Sequence, residues 1–165
     1  MVTAEDVAAI PSWIIQPTQN NHGLCLCSQR LARDLNKLRE MGIGAVVTVA
    51  YEARDIVLPR DIKRLHIDMV DAEEEKIYAY FNTTYHFIDN NLHKTNVLVH
   101  CVAGVSRSPA VVLAYMMRKY NLTLREAWLL VDSKRNYINP NVGFMKQLEQ
   151  YEKELESERE ACTLI

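Results

Sequence analysis

Strand-length apolar runs alternate with segments of helical period along this 165-residue chain, and that alternation predicts an α/β fold. Three stretches carry the prediction. Ile43 to Ala50, IGAVVTVA, is a β-branched run behind Gly42 and reads as a buried strand. Asn96 to Pro109, NVLVHCVAGVSRSP, reads as a short strand (Val97, Leu98, Val99 and His100), a turn from Cys101, and a helix with Pro109 in its first turn. Between them Ile77, Tyr80, Phe81, Thr84, Phe87, Ile88 and Leu92 recur at helical spacing, which predicts a long helix with one apolar stripe.

The remaining elements follow in order. The first twenty residues hold two Pro and no basic leader, so they read as an arm and not as a signal or transit peptide. Trp13, Ile14 and Ile15 within it fit a short strand or a packed segment equally. Gly23 to Cys27 is consistent with the first core strand. From Ser28, a candidate N-cap, Leu31, Leu35 and Leu38 step at helical intervals toward Gly42, which predicts one amphipathic helix of about three turns. Its outer face carries Arg30, Arg33, Lys37 and Arg39, read as a solvated face in preference to a docking site. Tyr51 to Arg60 is a loop, and Lys63 to Met69 alternates as a strand with Leu65 and Ile67 on one side. Ala110 to Met117 is apolar nearly all round and predicts a buried helix. Thr123 to Glu126 has the form of a capping box that opens another helix. After Pro140, Phe144, Leu148, Tyr151 and Leu155 mark a last helix, with Asn141 as its N-cap. The expected domain limits are an arm at 1–22, a catalytic domain at 23–155 and an acidic tail at 156–165.

Composition narrows the function. A hydrophobic content of 48% gives one domain room for a sizeable core. A formal charge of −2 and a pI near 6.2 offer neither a nucleic-acid footprint nor a polybasic membrane patch. The four cysteines (25, 27, 101 and 162) are irregularly spaced, as in a reducing compartment, and Cys25-Leu26-Cys27 is too short for the usual zinc spacing, so no metal site is expected. Cys162-Thr163-Leu164-Ile165 matches the bare prenylation pattern, but no basic cluster precedes it and no membrane anchor is expected.

The chemistry is concentrated in the turn after His100. Cys101 and Arg107 lie six positions apart at its ends. A turn of this kind curls its N–H groups inward, and the helix N-terminus behind it adds about half a positive charge, which suits an anion with several oxygens. The same surroundings favour a reactive thiolate at Cys101. Arg107 supplies a planar fork for two oxygens, and Gly104 permits positive φ and close approach. Val102, Ala103, Val105 and Ser106 complete the cup, and Ser108 is placed to donate to the sulfur as it leaves. An exposed thiolate is also prone to oxidation, and Cys25 and Cys27 are the candidates to resolve it as a disulfide, a pairing the sequence leaves open.

HCVAGVSRSP resembles the His-Cys-x5-Arg-Ser signature of the protein tyrosine phosphatase superfamily, and Ala-Gly-Val-Ser-Arg-Ser within it is similar to the small, atypical dual-specificity phosphatases. The resemblance runs from about Gly23 to Leu155, and Cys27 departs from it where a Gly is common. It implies a central, mostly parallel sheet with helices on both faces and the site at the carboxyl end of the strand before Cys101. It also implies hydrolysis of phosphomonoesters through a phosphocysteine, without metal or other cofactor, with an Asp as proton donor. Asp68 and Asp71 both qualify by position; Asp71 precedes Tyr80-Phe81 by nine residues, an interval similar to that of the family, and is preferred, with its pKa raised by closure over substrate. His100 and Asn141 occupy positions that support the cup in the family.

The expected substrates are phosphotyrosine and phosphoserine or phosphothreonine in proteins, mitogen-activated protein kinases among them, in the cytoplasm and also the nucleus. Two alternatives remain at this point: a phosphoprotein-binding pseudophosphatase, and a phosphatase of a non-protein phosphomonoester.

Overall fold

The computed structural model describes residues 3–163. In chain order its elements are α1 (Ala4–Ala8), β1 (Ser12–Ile15), β2 (Leu24–Cys27), α2 (Gln29–Ala32), α3 (Leu35–Glu40), β3 (Ile43–Val49), β4 (Lys63–Ile67), α4 (Phe81–Leu92), β5 (Asn96–His100), α5 (Arg107–Tyr120), α6 (Leu124–Lys134) and α7 (Val142–Thr163). Short 3-10 turns at Tyr51–Ala53 and Ile77–Tyr80 complete them.

The strands form one sheet in the order β1-β2-β5-β3-β4. β5 lies at its centre, parallel to β2 and β3, and β4 is parallel to β3. Only β1, at the edge, runs antiparallel. A central parallel strand must bury both faces, which its sequence satisfies by alternation. Val97 and Val99 join Leu24, Leu26, Ala45 and Val47 in a core covered by α4 to α7. Leu98 joins Cys25, Cys27 and Val46 in a second core, under Leu31 of α2 and Leu38 of α3. The sheet is thus mostly parallel and flanked by helices on both faces, as expected.

Two expected elements differ. The helix expected from Ser28 to Gly42 is broken in two, because the Asp34 side chain accepts a hydrogen bond from the Lys37 N–H at 3.0 Å and starts α3 afresh. Ser28 stands at the N-cap position of α2 without making a side-chain cap. The tail expected from residue 156 is instead the last turns of α7, continuous to Thr163, although Leu155 is the last buried residue of that helix. Cys162 is exposed there; the last two residues of the prenylation-like pattern lie outside the described residues.

In the arm, β1 settles the open reading of Trp13 to Ile15 as a strand. α5 is buried from Arg107 through Met117, which holds its N-terminus, and the turn before it, in a fixed place. The Thr123–Glu126 capping box forms with both of its reciprocal bonds. On the outer face of α2 and α3, Arg30 pairs with Asp6, Arg33 with Asp55 and Lys37 with Glu40, so most of that basic face is already neutralised.

Candidate active site

β5 ends at His100, and the turn from Cys101 to Ser106 curls over the N-terminus of α5. Cys101 is 2% exposed; its Sγ accepts hydrogen bonds from the Gly104 N–H at 3.2 Å and the Ser108 hydroxyl at 3.0 Å. Gly104 takes φ +69°, where a β-carbon would lie 2.6 Å from the Cys27 carbonyl oxygen. His100 underlies the turn. Its Nδ1 lies 2.9 Å from the Cys101 carbonyl oxygen and its Nε2 2.8 Å from Thr48 Oγ1. A carbonyl only accepts, so Nδ1 carries the hydrogen and Nε2 accepts from the Thr48 hydroxyl. Burial pushes the His100 pKa down to about 4, in keeping with that neutral tautomer.

Arg107 is also buried. Its Nη1 donates to Glu52 Oε2 at 2.6 Å and to the Met69 carbonyl at 2.8 Å. Burial works against the Glu52 charge, but the hydrogen bond from Arg107, a backbone hydrogen bond and the attraction of the guanidinium together outweigh it and hold the carboxyl below its usual range. Glu52 lies in the Tyr51–Ala53 turn after β3, where the sequence carried no signal for it.

The two candidate acids part company. Asp68 is held by both ends of Arg54, at 2.6 and 2.8 Å, and these bonds keep its carboxyl below the ordinary range. Asp71 reaches the cup: its Oδ1 accepts from the Ser106 hydroxyl at 2.7 Å and from Asn141 Nδ2 at 2.9 Å. Asn141 also caps α7 by accepting the Phe144 N–H, and its own N–H donates to Ser106 Oγ. One residue thereby links the cup, the loop that carries Asp71 and the last helix. Behind Asp71 the loop rests on α7: Gln147 donates to the Glu75 carbonyl at 2.8 Å and accepts the Tyr78 N–H at 3.0 Å. Gly143 faces the Glu73 backbone, where a β-carbon would overlap the carbonyl.

Val102, Ala103 and Val105 lie between Cys101 and Arg107, and their side chains line an apolar groove of about 840 Å³ shared with α1, Gln29 and Tyr137. A residue that the sequence did not single out lies behind them. Arg135, at the end of α6, donates to the carbonyls of Ala103 and Gly104. It stands in the polar run Asp132 to Asn136, where nothing in the sequence sets it apart from its neighbours.

The chain matches the family model of the dual specificity phosphatase catalytic domain over residues 24–154. It is 45% identical over 103 residues to a probable dual specificity protein phosphatase of Dictyostelium discoideum, covering 62% of this chain and 26% of that protein. Against dual specificity protein phosphatase 1 of Arabidopsis thaliana it is 36% identical over 141 residues, 85% of this chain and 71% of the relative. The crystal structure of a single-site variant of human DUSP28 superposes with a TM-score of 0.78 at 29% identity, over 90% of this chain and 97% of that one. The matched span holds the whole constellation from Glu52 to Asn141, and the chain therefore belongs to the dual specificity phosphatase family, as a protein phosphatase of its small, atypical type.

Proposed function

We propose that this chain hydrolyses phosphotyrosine and phosphoserine or phosphothreonine in proteins through a phosphocysteine intermediate, with no metal ion in the reaction. The observation that carries this reading is the convergence on one turn of a sulfur with two donors, a buried guanidinium and a carboxylate. Cys101 Sγ attacks phosphorus as the bond to the leaving oxygen breaks, and that oxygen takes its proton from Asp71. Nε and Nη2 of Arg107, with the N–H groups from Val102 to Arg107, hold the equatorial oxygens. Ser108 steadies the sulfur as it becomes a leaving group. In the second step Asp71 takes a proton from water, the water oxygen bonds to phosphorus, and the S–P bond breaks.

Asp71 is preferred over Asp68 because Asp68 is already committed to Arg54. Protein substrates are favoured by the rim: Val70 and Val142 stand exposed beside Asp71 and Asn141, and Val102, Ala103 and Val105 add no cation of the kind a polyanionic head group needs. Mitogen-activated protein kinases are a family-level candidate, with the cytoplasm and nucleus as the places to look for them. Residues 23–155 are the expected catalytic unit.

The test measures turnover of an aryl phosphate, once in EDTA and once, without EDTA, with vanadate as inhibitor. Cys101→Ser should abolish turnover yet retain phosphate binding, and Asp71→Asn should lower turnover of an alkyl phosphate, whose leaving group needs a proton, on the order of 10²-fold or more. Loss of alkyl phosphate turnover in Asp68→Asn but not in Asp71→Asn would overturn the acid assignment. Absence of vanadate-sensitive turnover in the wild type would leave a phosphoprotein-binding module instead.

A further inference from the structure

Arg135 heads the fully buried side chains by volume, at 1% exposure, and none of its five hydrogen bonds goes to a carboxylate. Buried charges are ordinarily paired with an opposite charge. This guanidinium is surrounded by neutral oxygens instead. On the side of the cup, Nε donates to the Gly104 carbonyl at 2.9 Å and Nη2 to the Ala103 carbonyl at 3.3 Å. On the side of the arm, it donates to the carbonyls of Ala8 and Ile10 at 3.0 and 3.2 Å and to Ser12 Oγ at 3.1 Å.

A trans peptide holds its C=O and the following N–H pointing in opposite directions. Gripping the Ala103 and Gly104 carbonyls from behind therefore turns the N–H groups of Gly104 and Val105 the other way, toward the cup. The Gly104 N–H does end on Cys101 Sγ, at 3.2 Å. Gly104 also leaves room for the grip, since a β-carbon there would lie 2.6 Å from Arg135 Nη2.

We infer that Arg135 is a positioning residue for the phosphate-binding turn: it orients two of the inward N–H donors and places behind them a positive charge whose counter-ion is the bound oxyanion. This rests on the hydrolytic reading above and adds to it a group that never touches substrate. It also fastens the arm and the cup to a single guanidinium, so that residues 8–12 belong to the catalytic scaffold.

The experiment measures the inhibition constant of tungstate, with an aryl phosphate as substrate, for wild type, Arg135→Lys and Arg135→Gln in the full chain. An inhibition constant does not depend on the fraction of enzyme that is correctly folded, so it separates positioning from plain loss of stability. Arg135→Gln should raise it on the order of tenfold or more, since two donors are released at once, and Arg135→Lys, which keeps charge without the fork, should raise it less. Constants within about twofold of wild type in both variants, whatever their melting temperatures, would overturn the inference.

If neither variant folds, the wild-type chain answers by NMR. The Arg135 Nε–H resonance should move on titration with tungstate, at half-saturation matching the inhibition constant, and a resonance that stays still while tungstate binds counts against the role. Failure of the hydrolytic reading looks different, because the wild type itself then shows no tungstate-sensitive turnover.

Discussion

His100 shows how a single side chain couples the site to the solution. Its Nδ1–H and its Nε2 lone pair are both engaged inside the protein, and its pKa falls from 6.5 to about 4, because burial penalises the charged ring. In the unfolded chain the ring titrates near its ordinary value. Above about pH 6.5 both states are neutral there and the group contributes nothing to pH dependence. As pH falls from there toward 4 the unfolded state takes up the proton and the folded state does not, so stability is lost. Between pH 7 and 5 the loss from this group is about 2 kcal/mol. Urea unfolding of wild type and His100→Gln at the two pH values should show that component of the slope in wild type and not in the variant.

The cysteines beside the site lead to a second expectation, on the disulfide that the sequence left open. Cys25 and Cys27 share an apolar core with Cys101, and burial pushes the Cys25 thiol up to about 12 and that of Cys27 well above its ordinary range. Cys27 Sγ also donates to the Ser28 carbonyl at 3.1 Å. Disulfide formation needs a thiolate as attacker, and neither residue supplies one at neutral pH. Non-reducing peptide mapping after peroxide should find Cys101 oxidised but unlinked to either, and a Cys27–Cys101 disulfide in good yield would refute this.

Among the elements, the loop that carries Asp71 and α7 act as a unit. Gly143→Ala introduces a β-carbon 2.6 Å from the Glu73 carbonyl carbon and forces the loop that carries Asp71 off the helix. The expected result is selective: turnover of an alkyl phosphate, whose leaving group needs a proton, should fall on the order of 10²-fold, and that of an activated aryl phosphate less than about threefold. Equal losses on both substrates would show that the glycine serves folding alone.

The same element shows what the sequence could and could not carry. The segment from Cys101 to Ser108 was legible because cysteine, glycine, arginine and hydroxyls lie within one continuous turn. Asp71 and Asn141, which the fold brings to that turn, were singled out through the family resemblance, Asp71 by its interval to Tyr80-Phe81 and Asn141 by its place after Pro140. Glu52, Arg135 and Gln147 were not, because their bonds to Arg107, Gly104 and Glu75 span 55, 31 and 72 residues and exist only once the sheet has formed. The broken helix at Asp34 had a different cause: Leu31, Leu35 and Leu38 keep a helical period straight through it, and a local cap overrode that period.

For the whole molecule, the two ends of the chain are not equivalent. Residues 157–163 bury no side chain, whereas residues 8–15 supply three partners of Arg135 and the edge strand. Ending the chain at Glu156 should shift the melting temperature by less than about 2 °C, and starting it at Pro17 should lower it by at least about 10 °C. Differential scanning calorimetry of the two shortened proteins decides this, and a stable, active protein starting at Pro17 would refute the part assigned to the arm.

The central position of β5 also governs how the protein comes into being. β2 and β3 follow one another in sequence but never touch as a pair; β5, made more than forty residues after β3, fills the place between them. A chain that has left the ribosome only as far as Thr95 therefore has a sheet with its middle missing and the inner edges of β2 and β3 unpaired. Such edges recruit other chains, so the hazard of aggregation peaks late in synthesis and ends when the strand that leads to Cys101 slides into the gap.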